Sequence, residues 1–397
     1  MMNQIYTDNA ATTPISSTVL DAMLPYLTSG YGNPSSLYST GRDAKAAIED
    51  ARRNVADAIG CESSEIIFTG GGSEADNLAI KGLLWGSALK KGKNHIITSK
   101  IEHHAILHTV AFMERMGCRV TYLDVDNLGR VDLEQLRSSI TSETALVSIM
   151  AANNEIGTIQ PLAEIARICH DGGTLFHCDA VQGIGHMELD VRKLGIDMLS
   201  MSAHKIRGPK GVGALYCRKG IYLEPLIHGG GQESRKRSGT ENVAGIVGFG
   251  AAIQEAVSRM PEVLPRISAL RRRLEAGVAK LPYARLTGDP EHRLPGTASF
   301  AFECIEGESL ILMLDMKGIA ASTGSACSTG SLDPSHVLMA IGLPHKIAHG
   351  SLRITIGEQN TEEEIDYILA SLEEIIGKLR YMSPVWDNDL QQPLEFH

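Results

Sequence analysis

A chain of 397 residues is longer than one hydrophobic core usually organises, so about two domains are expected. With 43% hydrophobic and 21% charged residues it can build a full core, which excludes a disordered or collagen-like chain. A formal net charge of −10 argues against a nucleic-acid surface and leaves small molecules and proteins as the expected partners. Seven scattered cysteines, an odd number without close spacing, fit reduced thiols in a cytoplasmic protein. Residues 1–14 lack the basic start and apolar centre of a signal peptide. The longest apolar run, 244–253, is far short of the ~20 residues a membrane helix needs, so no membrane span is expected.

From residue 65 to 217 short β-rich runs alternate with helical or polar stretches. Strands are predicted at 66–69, 95–99, 120–125, 145–150, 175–179, 198–202 and 213–217. This alternation predicts an α/β fold built on a mainly parallel seven-stranded sheet flanked by helices. In such sheets the ligand crevice lies beyond the carboxyl ends of the strands, and several of these runs carry a polar residue just past that end.

The first such end reads Phe68-Thr69-Gly70-Gly71-Gly72-Ser73-Glu74, a strand, a glycine turn and a helix start. Glycines let the backbone approach a phosphate, Ser73 can cap the helix and offer a hydroxyl, and the first N–H groups face outward. The run matches neither the dinucleotide-binding glycine pattern nor the P-loop lysine pattern, and a plain structural turn would look much the same. Further on, His177-Cys178-Asp179-Ala180-Val181-Gln182 ends one apolar strand with an aspartate. Ser202-Ala203-His204-Lys205 ends another with a lysine. Alone, Asp179 reads as a helix cap and Lys205 as a surface cation. Together with the glycine turn they supply what pyridoxal phosphate requires: an amine for the Schiff base, a carboxylate for the ring nitrogen and donors for the phosphate.

These residues belong to an ordered set that resembles the NifS/IscS-type cysteine desulfurases, fold-type I enzymes of the class V aminotransferase family. The set comprises Tyr6-Thr7-Asp8-Asn9-Ala10-Ala11-Thr12-Thr13-Pro14, Gly32-Asn33-Pro34-Ser35-Ser36, the glycine turn, Glu102-His103 and Asn153-Asn154-Glu155-Ile156-Gly157. It continues through Asp179 to Gln182, Ser202 to Lys205 and Arg237-Ser238-Gly239-Thr240, and ends on Gly324-Ser325-Ala326-Cys327-Ser328. The resemblance implies pyridoxal phosphate as cofactor, with Lys205 forming the Schiff base, Asp179 holding the ring nitrogen protonated and His103 stacked on the ring as proton carrier. Gln182 and Asn154 would meet the ring hydroxyl side, and Gly72, Ser73, Ser202 and His204 the phosphate. Thr240 would reach that phosphate from the second subunit of a homodimer. Asn154 and Arg353 would receive the substrate L-cysteine, Arg353 by clamping its carboxylate. The products would be L-alanine and a persulfide on Cys327, destined for an acceptor such as an iron–sulfur scaffold or a thiolation pathway. A selenocysteine lyase or another class V aminotransferase is the alternative. Two departures from the family pattern are Arg207, where an aromatic or histidine is common, and Ser73, where threonine is frequent.

Cys327 sits among small residues, Ser322 to Ser331, as a mobile nucleophile requires, whereas Cys61, Cys118, Cys169, Cys217 and Cys304 read as structural. His103, His104 and His108 stand near helical spacing but lack cysteine at a fitting distance in sequence, and no residue is read as a metal ligand. A large domain is expected over 15–260. A smaller α+β domain is expected over 1–14 and 261–397, with Pro261 and Pro265 marking the boundary and the cysteine loop at about 322–335. Residues 382–386 resemble a scaffold-docking tail, and 391–397 are expected to be disordered.

Overall fold

The computed structural model describes residues 4–324 and 334–394, so Cys327 lies outside the described residues. The chain opens on β1 (Ile5–Tyr6) and then builds one sheet from seven strands. These are β2 (Ile66–Thr69), β3 (His95–Ser99), β4 (Arg119–Leu123), β5 (Thr144–Ser148), β6 (Leu175–Asp179), β7 (Met198–Ser202) and β8 (Gly213–Cys217). Their order is β2-β8-β7-β6-β5-β3-β4, and only β8 runs against its neighbours. Helices cover both faces, which is why β3, β5, β7 and β8 are buried along their whole length, while β4 at one edge is partly exposed. The first core packs on the two sides of this sheet, around Phe176, Ile149 and Phe249 on one and around Ile80, Leu84 and Leu146 on the other.

Two strands stop short of their predicted ends. Past Ser148 the Met150 N–H turns away from the sheet to the Glu102 carboxylate, 3.1 Å away. Past Leu123, Val125 pairs with Val131 in a separate bridge instead of continuing beside β3. Side-chain acceptors and local turns replace the ladder there.

A second core, around Phe300, Phe302, Leu352 and Ile368, is built by β9 (Ala284–Leu286), β10 (Thr297–Phe302) and β12 (Ser351–Thr355), an antiparallel sheet of order β12-β10-β9. Helices Gly307–Met316 and Glu362–Met382 complete it, and β11 (Ile319–Ala320) pairs in parallel with β1. The helix Val243–Val278 serves both cores, with Ile246 and Phe249 in the first and Val263, Leu270 and Leu274 in the second. It runs unbroken through Pro261 and Pro265, which sequence reasoning read as punctuation. Both prolines are exposed, so their rings point to solvent and do not crowd either core.

The tail is also more ordered than expected. Trp386–Asp387 pairs with Gln392–Pro393, and the Trp386 ring is buried against Tyr283 and under the Arg380 guanidinium, 4.8 Å from its centroid. No helix among the described residues is long and apolar enough to cross a membrane.

Candidate functional site

The carboxyl ends of the parallel strands deliver their polar residues to one place. β2 leads into the glycine turn, β3 to His103, β5 to Asn154, β6 to Asp179 and β7 to Ser202, His204 and Lys205. β12 contributes Arg353 from the second core. Gly72, Ser73, His103, Asn154, Asp179, Gln182, Ser202, His204, Lys205 and Arg353 all line a single cavity of about 230 Å³.

The N-terminal segment roofs this cavity. Lys205 Nζ donates to the carbonyls of Ala10 and Ala11 at 2.6 and 2.8 Å, and Gln182 Nε2 donates to Ala10 at 3.0 Å. Thr12 meets His204 Nδ1 at 3.2 Å, and Thr13 Oγ1 accepts the Arg207 N–H at 2.8 Å. Arg207 holds a left-handed backbone (φ 62°) and pairs with Glu358 at 3.1 Å, joining the residues after Lys205 to the second core's side of the molecule.

The glycine turn requires its glycines. Gly71 has φ 151° and ψ −179°, a conformation essentially closed to other residues, and a Cβ on Gly72 would stand 2.5 Å from Val181. Gly71 itself is the helix cap, and no side chain caps the helix, so Ser73 lies in the first turn and does not have the capping role predicted for it. Around Ser73, Ser202 and His204 the cavity opens into an outer recess that adds Thr12 and Lys210. Hydroxyls, first-turn N–H groups and a nearby ammonium make that end suited to an anion.

The deep end is acidic. Asp179 is buried, and one of its oxygens accepts the Val181 N–H at 3.0 Å. Burial pushes its pKa up to about 6, against the lowering effect of that N–H and of the Lys205 ammonium. Beside it stand Asp76 and Glu102, also buried, each with one oxygen that has no hydrogen-bond partner. Burial raises Asp76 and brings Glu102 up to about 8. His177 next to Asp76 is no counter-ion, because burial holds it at about 3 and both ring nitrogens bond hydroxyls, of Ser148 and Ser200, at 2.9 Å. His103 is held at about 4 by burial and the Lys205 charge. Its Nδ1 accepts the Ala105 N–H at 3.1 Å, so the neutral ring carries its proton on Nε2.

Arg353 occupies the opposite wall, buried, with Nη1 on the Asn154 carbonyl at 2.9 Å and Nη2 on Asp8 at 2.8 Å. Its Nε has no partner among the described residues, so part of the guanidinium edge that grips carboxylates is still to be satisfied. One described residue that was predicted for the site, Thr240, does not line the cavity. Thr240 is exposed, a short way along the chain from Arg237, which pairs with Glu74 at 3.0 Å, and Cys327 lies outside the described residues. Sequence reasoning missed Asp76 and gave no role to Asp8. Asp8 does lie in the run from Tyr6 to Pro14, but its partner is 345 positions away. The described cysteines form no disulfide. Burial raises the thiols of Cys61 to about 12 and Cys217 to about 11, as suits unreactive core residues.

The raised carboxyls have a thermodynamic consequence. Glu155 (about 7) and Glu102 (about 8) bind protons in the folded chain at pH values where unfolded carboxyls have lost them, so their contribution to stability falls as pH rises. The depressed histidines act oppositely but level off above about pH 6.5. The melting temperature of the cofactor-free protein is therefore expected to decline from pH 6.5 to 8.5. A flat or rising profile by differential scanning fluorimetry would contradict these assignments.

The class-V aminotransferase family model matches residues 5–368. The chain is 54% identical to the cysteine desulfurase IscS of Clostridium botulinum over 398 aligned positions, covering 100% of both chains. Among solved structures it resembles a NifS-like protein with TM-score 0.90 and 42% identity, over 95% of this chain and 100% of that one. It also resembles SspA in complex with cysteine, with TM-score 0.79 and 37% identity, over 90% of this chain and 100% of that one. A family model over most of the chain and a full-length relative at this identity lead to one conclusion: the chain belongs to the class-V aminotransferase family, among the cysteine desulfurases of the NifS/IscS type.

Proposed function

We propose that this protein takes sulfur from L-cysteine with pyridoxal phosphate as cofactor, releasing L-alanine and holding the sulfur as a persulfide on Cys327. The observation that carries the reading is the single cavity in which Lys205, Asp179 and His103 face one another, with anion donors at one end and Arg353 at the other. The donor set fits the cofactor. Hydroxyls of Ser73 and Ser202, His204 and the N–H groups of the glycine turn suit its phosphate, and Lys205 suits its aldehyde. Asp179, in a deep end it shares with the buried carboxyls of Asp76 and Glu102, suits a protonated ring nitrogen. When bound, the cofactor supplies an electron sink for the pair left on the substrate's α-carbon.

The chain's own residues then divide the work. Arg353 takes the substrate carboxylate through its unfilled edge, and Asn154, whose carbonyl fixes that arginine, sets its direction. Lys205, once its amine is released, removes the α-proton. The Cys327 thiolate forms a bond to the substrate sulfur as the carbon–sulfur bond breaks, and the electrons of that bond stay with the carbon fragment. Protons returned by Lys205 and by His103 Nε2 complete alanine, so one cysteine and one thiol give one alanine and one persulfide.

The active unit we propose is a homodimer in which Thr240 of each copy completes the anion end of the other. Support comes from the exposure of Thr240, close in sequence to the Arg237 that pairs with Glu74, and from the apolar surface of helix Ser17–Leu27, where Leu20, Leu24 and Leu27 are at least half exposed. The large domain spans 15–260, and the small one combines 1–14 with 261–397. The sulfur passes to an acceptor protein such as an iron–sulfur scaffold, and the reduced thiols fit work in the cytoplasm.

The test is to incubate the purified protein with L-cysteine and quantify alanine and protein-bound persulfide in the wild type and in Cys327→Ala. Both products are expected from the wild type and neither from the variant. A 2-oxo acid product from an amino donor, with no persulfide, would instead indicate a transaminase.

A further inference from the structure

Residues 324 and 335 flank the segment that carries Cys327, and both meet the same buried carboxyl. Ser335 Oγ donates to Glu155 Oε2 and also accepts the N–H groups of Val337 and Leu338, at 3.1 and 3.3 Å, at the head of helix His336–Ala340. Gly324 lies against the same oxygen: a Cβ built on it would stand 2.6 Å from Glu155 Oε2 and 3.4 Å from the Ser335 Cβ. Only a glycine fits between them. Glu155 is 5% exposed, and its neighbour Asn154 lines the cavity and accepts from Arg353.

Arg353 joins the same construction twice. Its backbone pairs with Ser322, N–H to carbonyl at 2.7 Å and carbonyl to N–H at 3.2 Å. Its guanidinium is the cation that offsets the burial of Glu155. The arginine suited to the substrate carboxylate is thus also the one that supports the charge on which residues 324 and 335 converge. Nothing in the proposed chemistry at Lys205, Asp179 or His103 uses Glu155, and burying a carboxylate is costly unless hydrogen bonds and a cation offset it, which here fall to Ser335 and Arg353.

We propose that Glu155 is a positioning residue for sulfur transfer: it fixes the spacing of residues 324 and 335, and so sets where Cys327 is presented to the substrate held on Arg353. The proposal rests on the reading of Cys327 as the sulfur acceptor.

The experiment uses the holoenzyme with Glu155→Gln, Ser335→Ala and the double variant. Three quantities are read: the cysteine-induced change in the visible spectrum, the single-turnover rate of persulfide formation, and the rate of Cys327 alkylation by iodoacetamide. Substrate binding is expected to stay within about twofold of wild type, while persulfide formation falls about tenfold in each single variant, the size of losing one charge-assisted hydrogen bond. The double variant should lose no more than either single, because both remove the same tie. Alkylation should change several-fold in both. Persulfide and alkylation rates at wild-type levels in Glu155→Gln, or losses that multiply in the double variant, would overturn the proposal. If Glu155→Gln fails to fold, Ser335→Ala, which lies outside the cavity, carries the same test. Should the wild type place no persulfide on Cys327, the functional reading falls, and the alkylation rates still decide whether Glu155 positions the thiol.

Discussion

Lys205→Ala is expected to bind pyridoxal phosphate but to make alanine and persulfide at least about 10⁴-fold more slowly than the wild type, the scale of losing an acid–base group that also anchors the cofactor. The cavity keeps its other anchors: Ser73, Ser202, His204 and the glycine turn do not depend on the lysine for their positions, since β2 and β7 hold them. What disappears is the one lysine that lines the cavity among the described residues, the ammonium that donates to Ala10 and Ala11 and depresses His103. Without it His103 becomes more basic, but it sits at the head of its helix with Nδ1 committed to Ala105, and cannot replace an amine at Lys205. Borohydride reduction should couple the cofactor to the wild-type chain at Lys205 and leave the variant unlabelled. Substantial turnover in Lys205→Ala would remove this residue from the mechanism.

The parts of this site that were legible in the sequence share a physical cause. Strands buried on both faces read as continuous apolar runs, so the sheet and the polar residues at its carboxyl ends could be located before any contact was known. The glycine turn was legible because Gly71 and Gly72 occupy positions that other residues would strain or fill. Other features left no such trace. Asp76 lies in Ser73-Glu74-Ala75-Asp76-Asn77, a stretch that looks solvated, and only the fold turns one of its carboxyls inward under the cavity. The links from Asp8 to Arg353 and from Glu155 to Ser335 span 345 and 180 positions, beyond any local pattern. The helix Val243–Val278 misled in the other direction, since its prolines mark a solvent face and not an end. The ordered tail depended on the Tyr283 ring, which a reading of residues 382–397 alone could not supply.

Asp179→Asn should affect activity and stability in opposite directions. The amide still accepts the Val181 N–H, so the end of β6 keeps its local structure. It cannot carry a negative charge, so a bound cofactor's ring nitrogen would lack the anionic partner that the proposed reading gives it. On that reading turnover is expected to fall about 10²–10³-fold, the range for removing one preorganised electrostatic contact to developing charge. Cofactor affinity should weaken as well, measurable by titrating apoprotein at the cofactor's visible band. Stability responds to a different balance. In the cofactor-free protein at pH 8, Asp179 is ionised in a pocket shared with Asp76 and Glu102, where burial has raised all three carboxyls above their ordinary range. A group raised in the folded state costs stability once pH passes its folded value, and the neutral amide escapes that cost. The cofactor-free Asp179→Asn protein should therefore melt above the wild type at pH 8, with the difference shrinking toward pH 5, where the native carboxyl is protonated. Equal melting temperatures at pH 8 together with unimpaired turnover would mean that Asp179 carries no charge in the working enzyme.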